Sequence, residues 1–114
     1  MYRAVWNGTI IAESAEVRRV EGNVYFPPDS VRWDYLADSK SHTICPWKGR
    51  ASYFHVVVDG EPCPDGAWTY RHPSPLARRI RDHIAFWGGI AVQRAGDEPG
   101  QAGKARPARN PGSR

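Results

Sequence analysis

The sequence predicts a mainly β domain with one late amphipathic α-helix. Three observations point that way: β-favouring runs separated by tight-turn dipeptides, the strongly β-branched and aromatic stretch Ala51 to Val58, and a single 3.6-residue periodicity confined to the region after Ser74. Tyr2 to Trp6 and Thr9 to Glu13 flank Asn7-Gly8, a dipeptide that accepts positive φ at both central positions and so signals a two-residue hairpin. Val17 to Val20 and Val24 to Phe26 flank Glu21-Gly22-Asn23 and read as a second hairpin. Pro27-Pro28-Asp29-Ser30 then interrupts the sheet. Val31 to Leu36 fits either period: Val31, Trp33 and Tyr35 alternate, while Trp33 and Leu36 lie one helical turn apart.

Ala51 to Val58 is the next strand, closed by the turn Asp59-Gly60, and Ala67 to Tyr70 is expected to pair with it around a Glu61 to Gly66 connection. Ser74-Pro75 is a helix start, because Ser can cap free N–H groups and Pro is tolerated where no donor is required. Leu76, Ile80, His83, Ile84 and Trp87 then recur at spacings of three and four. They predict a helix of about 13 residues that buries this stripe against the sheet and turns Arg78, Arg79 and Asp82 to water. Gly88-Gly89 ends it, and Ile90 to Gln93 forms a last short strand.

Composition bounds the rest. The chain has 114 residues with net charge +4, enough for one domain. Residues 1–94 hold all the aromatic side chains and 12 basic against 10 acidic residues. Residues 95–114 hold Lys104, Arg106, Arg109 and Arg114 against Asp97 and Glu98, with no Leu, Ile, Val or aromatic residue. The domain is therefore expected at residues 1–94, and residues 95–114 are expected to form a disordered basic Pro/Gly/Ala tail, since they offer too little apolar surface to offset ordering entropy. Four dispersed basic residues argue against nucleic acid as a partner. The longest uncharged apolar stretch, Ile84 to Val92, is too short for the roughly 20 residues of a membrane span. With no apolar leader after Met1, the expected location is cytoplasmic, and nothing indicates an oligomeric state.

Chemistry-bearing residues concentrate in Cys45-Pro46-Trp47-Lys48-Gly49, which sets a thiol, an indole and an amine on one loop. Cys45 is a candidate nucleophile and Lys48 a candidate base, imine former or anchor for an anionic or carbonyl group, each needing a partner. The alternative is a small buried Cys45, a Trp47 covering the sheet end and a solvated Lys48. On the following strand Tyr53, His55 and Val57 share one face. If that face is concave, Tyr53 and His55 join Trp68 and Tyr70 around a cavity with Lys48 at its mouth, and Glu21 or Tyr25 supplies a carboxylate or phenol. If it is convex, these residues form the solvated side of a one-sided sheet. Two functions follow: a small-molecule binding domain or minor enzyme, or a noncatalytic interaction or structural module whose tryptophans form a core and a partner surface.

The set Trp6-Asn7-Gly8, Ile11-Ala12-Glu13-Ser14, Glu21 to Pro27, Cys45 to Gly49, Ala51-Ser52-Tyr53 and Ala67 to Tyr70 resembles the family described as domain of unknown function 427, also labelled nucleotidyltransferase-like. The resemblance covers roughly residues 3–93. It implies an Mss4-like fold, a folded sheet or small open barrel built from hairpins. Nucleotidyl transfer would need metal-binding carboxylates and a phosphate cradle. Asp59 with Glu61 and Asp34 with Asp38 lie in turn or solvent-facing contexts, and no Gly-rich loop precedes a helix, so the residues argue against that activity. Mss4-like proteins often carry two Cys-x-x-Cys pairs; here Cys45 and Cys63 are single. Zinc would require Cys45, Cys63, His42 and His72 to converge, and the reading adopted is metal-free, without a cofactor and without a Cys45–Cys63 disulfide.

Overall fold

The computed structural model describes residues 1–94, which form nine strands and three short 3-10 turns; the expected tail at 95–114 lies outside the described residues. The opening hairpin forms as its turn chemistry requires. β1 (Tyr2–Trp6) and β2 (Thr9–Ser14) pair antiparallel, with Asn7 at φ 50° and Gly8 at φ 75°. β3 (Arg18–Val20) and β4 (Asn23–Tyr25) make the second hairpin around Glu21 and Gly22, both also at positive φ. The ambiguous stretch after Pro28 resolves as a turn over Trp33–Tyr35 followed by extended chain.

Four strands carry the centre of the molecule: β5 (Leu36–Cys45), β6 (Gly49–Val58), β7 (Glu61–Tyr70) and β8 (Ile84–Phe86), adjacent in that order and all antiparallel. β9 (Ala91–Arg94) returns to pair with β1, giving the order β2-β1-β9. The three sheets are not closed into a barrel. Backbone bridges link them: Phe26 and Ile84 exchange hydrogen bonds of 2.8 Å, and the Arg32 N–H donates to the Ile11 carbonyl at 2.8 Å.

Away from the β5 edge, the central sheet buries apolar side chains on both faces. Phe54, Ala67, Ile84 and Phe86 lie on one face and join Ile11, Phe26 and Val56 in the larger apolar cluster. Ala51, Tyr53, Trp68, Tyr70 and Ala85 lie on the other and pack with Val20, Tyr25, Ala77 and Ile80. Strand alternation therefore sorts side chains between two cores, each covered by a different hairpin.

Two expectations are corrected. The late α-helix does not form: Pro75–Ile80 is a 3-10 turn, and the chain then extends into β8. Pro75 still occupies the first turn, but Ser74 donates its hydroxyl to the Trp47 carbonyl rather than capping. Of the expected stripe, Ile80 and Ile84 are buried, whereas Leu76 is 79% exposed and Trp87 54% exposed. Spacings of three and four also fit a turn followed by a strand, and the backbone bonds offered by β7 and Phe26 favour that pairing. The second correction concerns Glu61 to Gly66, which belongs to β7 rather than to a connecting loop.

Candidate functional site

Lys48 is the centre of the site. It sits in the turn between β5 and β6, next to Gly49 at φ 114°, where a Cβ would stand 3.3 Å from the His72 carbonyl oxygen. The Lys48 carbonyl accepts the Ser74 N–H at 3.0 Å, so the turn is clamped against the segment leading to Pro75. The side chain is 7% exposed. Its ammonium pairs with the Glu21 carboxylate from the β3–β4 turn and lies 4.9 Å from the Trp47 ring centroid and 5.9 Å from that of Tyr70. Trp47 Nε1 donates to the second Glu21 oxygen at 3.1 Å, so one carboxylate holds both the ammonium and the indole.

Lys48, Tyr25, Tyr53, Trp68 and Tyr70 line one cavity of about 200 Å³, together with Asn23 and Trp87. The rings brace one another. Trp68 meets Tyr25 and Trp87 edge to face at centroid distances of 6.2 Å, and its Nε1 lies 3.4 Å from the Tyr25 hydroxyl. The Tyr53 hydroxyl shares a 3.1 Å hydrogen bond with Thr43 of β5. Such mutual contact fixes ring orientation.

The electrostatics favour a charged amine. Burial is the largest single influence and pushes the Lys48 ammonium toward neutrality, but the Glu21 carboxylate together with Tyr70, Tyr25 and Cys45 outweighs it, so its pKa lies above the ordinary lysine value. Lys48 stays protonated at neutral pH; in this state it is a cation and donor rather than a free amine for imine chemistry. Hydrogen bonds from Lys48 and Trp47 hold Glu21 below its usual range. Burial raises Tyr25, and it pushes Tyr70 up to about 12. Burial also pushes the Cys45 thiol up, yet the N–H groups of Trp47 and Lys48 and the Lys48 charge outweigh it, leaving that thiol below its ordinary value.

The structure separates His55 from this group. β6 keeps Tyr53 and His55 on one parity, but β5 and β7 both bulge beside them: Ser39 to Ser41 stand opposite Tyr53 alone and Pro64 to Gly66 opposite His55 alone, two extra residues in each ladder. The two bulges meet across β6. Ser39 and Ser41 donate to the two Asp65 carboxylate oxygens at 2.5 and 2.8 Å, and the Asp65 N–H donates to His55 Nδ1 at 3.1 Å. His55 thus belongs to a clasp that pins β5 to β7 rather than to the cavity wall. Trp87 Nε1 donates to the Asp65 carbonyl at 2.5 Å, so the clasp also positions one wall of the cavity.

Asn23 and Trp87 are the cavity residues that sequence reasoning did not assign. The three-and-four spacing puts Trp87 on a helix stripe, whereas it reaches the cavity because β8 replaces that helix; the Gly88-Gly89 signal after it fits a strand end equally well. Cys45 and Cys63 are free thiols that pack in the two different clusters on opposite sides of the sheet. Among the described residues, no three His, Cys, Asp or Glu side chains are grouped to hold a metal ion. No described helix is long and apolar enough to cross a membrane.

The cavity draws Asn23 and Tyr25 from the second hairpin, Lys48 from the Cys45 to Gly49 turn, Tyr53 from β6, Trp68 and Tyr70 from β7, and Trp87 just after β8, while Glu21 and Trp47 hold Lys48 from outside its lining. All but Trp87 lie in segments that carry the family resemblance. No curated protein matches the chain. The pattern defining the domain of unknown function family DUF427 extends over residues 1–97, spanning every strand described above, and the chain belongs to that family.

Proposed function

We propose that this domain binds a compact small metabolite through its anionic or carbonyl group, with Lys48 as the anchor in the aromatic-walled cavity. One observation carries the reading: among the described residues, an ammonium almost wholly removed from water is balanced by a single carboxylate that is itself half exposed. Burying a charge is costly, so a buried lysine with one partner on a cavity wall is better explained by a ligand than by stability. The size of the cavity, below the roughly 300–1,000 Å³ of drug-sized sites, selects a small ligand. Glu21 can act as a gate, since a ligand anion would compete with it for the ammonium. Tyr25, Tyr53 and Tyr70 offer hydroxyls, and Cys45 a thiol with enhanced thiolate character, should the bound molecule also be transformed. The Mss4-like folded sheet fits the hairpin-built arrangement, and free thiols fit a reducing, cytoplasmic setting.

The test is a thermal-shift screen of small carboxylates, phosphates and carbonyl compounds on the wild type, Lys48→Met and Cys45→Ser. Hits lost in Lys48→Met and kept in Cys45→Ser are the expected result. Hits that survive both changes would place binding elsewhere. A second reading, a noncatalytic interaction module, draws on the exposure of Trp47, Trp87 and Ile44. It predicts no hits across such a library, together with loss of a protein partner on Trp87→Ala.

A further inference from the structure

On the opposite face of the central sheet lies a second cavity, of about 440 Å³, whose walls differ in kind from those around Lys48. Its apolar part is built by Trp33, Phe54, Leu36 and Ile84. Trp33 and Phe54 meet edge to face at 5.5 Å, and Trp33 Nε1 donates to the Pro28 carbonyl at 2.8 Å, which fixes the indole. Three charges stand around these rings: Arg71, Asp38 and Asp82.

None of the three is engaged as a strong ion pair. The Arg71 guanidinium lies over the Phe54 ring, 5.5 Å from its centroid, and has no carboxylate within ion-pair distance among the described residues. Among the same described residues Asp38 has no cation at that distance, and Asp82 meets only its neighbour Arg81, at 3.8 Å. Asp82 is nonetheless fixed in place: its backbone is in the left-handed region at φ 61°, and its N–H donates to the Tyr70 carbonyl at 3.0 Å. Thr69, which also lines the cavity, already spends its hydroxyl on the His83 carbonyl at 2.8 Å.

This pattern selects among ligand charges. A simple anion would meet Asp38 and Asp82, a simple cation would meet Arg71, and a neutral apolar body would strip water from all three without replacing it. A ligand carrying both signs beside a flat apolar group satisfies each wall. From this we infer that the cavity is a binding site for a free aromatic α-amino acid, its carboxylate on Arg71, its ammonium between Asp38 and Asp82, and its ring against Trp33 and Phe54. Arginine suits the carboxylate because its planar fork can donate two parallel hydrogen bonds. The volume accommodates an indole or phenol side chain with its backbone. The site shares no residue with the Lys48 cavity and does not depend on the function proposed for it.

Backbone-amide NMR titration of the full chain tests this with four probes: L-tryptophan, tryptamine, indole-3-propionate and indole. Tryptophan should shift the amides of Trp33, Phe54 and Arg71, and each truncated probe should bind at least about tenfold more weakly. Arg71→Gln should weaken tryptophan to the level of tryptamine and leave tryptamine itself unchanged. Asp38→Asn combined with Asp82→Asn should do the converse, bringing tryptophan down to the level of indole-3-propionate. Tryptamine or indole binding as tightly as tryptophan would overturn the zwitterion assignment. So would shifts centred on Tyr53 and Trp68, or no shifts with any probe at millimolar concentration.

Discussion

The Lys48–Glu21 pair is unequal, and the inequality can be measured. Lys48 is buried while the Glu21 side chain is 52% exposed, so removing one partner does not cost the same as removing the other. Lys48→Met keeps the apolar stem against Trp47 and Tyr70 and leaves a carboxylate that water can solvate; its effect on stability should stay within about 1 kcal/mol. Glu21→Gln leaves an ammonium buried without its counter-charge, the more damaging kind of loss. Chemical denaturation at neutral pH should rank Glu21→Gln as the less stable variant, and the reverse order would mean that Lys48 is solvated. The pair also sets a pH response. Glu21 and Asp65 have folded-state pKa values below their ordinary ones, so their stabilisation is present above the unfolded carboxylate range and is lost as pH falls through the folded values. Lys48, Tyr25 and Tyr70 are raised, so their contribution is complete below the unfolded values and disappears as pH rises. For Tyr70 that window runs from about 10 to about 12. Melting temperature should therefore fall at both extremes, and Tyr70→Phe should flatten the alkaline limb alone.

The 3-10 turn Pro75–Ile80 shows how one element can carry a core contact and an exposed apolar residue side by side. Ile80 has no exposed surface and packs with Tyr25, Tyr70 and Ala85, whereas Leu76 packs on nothing that removes it from water. Ile80→Ala should cost about 2–4 kcal/mol through lost burial and a cavity, and Leu76→Ala under about 0.5 kcal/mol; equal losses in urea denaturation would mean that the turn lies on its other side. The same element marks where the sequence is ambiguous. Hairpin turns at Asn7-Gly8, Glu21-Gly22 and Asp59-Gly60 were legible because positive φ restricts residue choice, and β6 because its β-branched run is long. The helix expectation failed because Ile80, Ile84 and Trp87 satisfy a helical spacing while long-range backbone pairing to Phe26 and β7 decides the outcome. β5 is hidden in the sequence for a related reason. Leu36–Cys45 is a sheet edge with mostly exposed side chains, so it carries neither alternation nor a hydrophobic run. Its placement comes from partners distant in sequence, including the Asp65 carboxylate that receives Ser39 and Ser41. The candidate site was legible as a set of rings and one amine because these lie on a strong strand and its adjoining turn. The withdrawal of His55 depends on two bulges meeting across β6, and no local pattern announces that.

Two cores on opposite faces of one sheet make the molecule's stability uneven. The larger cluster joins the β2-β1-β9 sheet to β6, β7 and β8, while the smaller is covered by the two-stranded β3–β4 hairpin and the Pro75–Ile80 turn. A two-stranded ribbon has little stability of its own, so β3 and β4 depend on Tyr25, Val20 and Ile80 remaining packed. β6 and β7 are paired on both edges and buried on both faces, and they should open only in global unfolding. Native-state hydrogen exchange should therefore find the slowest amides in Ser52 to Phe54 and Ala67 to Thr69, and faster exchange in Asn23 to Tyr25. Ile80→Ala weakens the smaller cluster alone, so it should accelerate exchange in β4 more than in β1. Because Glu21 and Asn23 ride on that hairpin, its opening would also uncover Lys48 and widen the cavity. Equal acceleration of β1 and β4 in Ile80→Ala would instead show a single cooperative unit, in which the hairpin cannot open ahead of the rest.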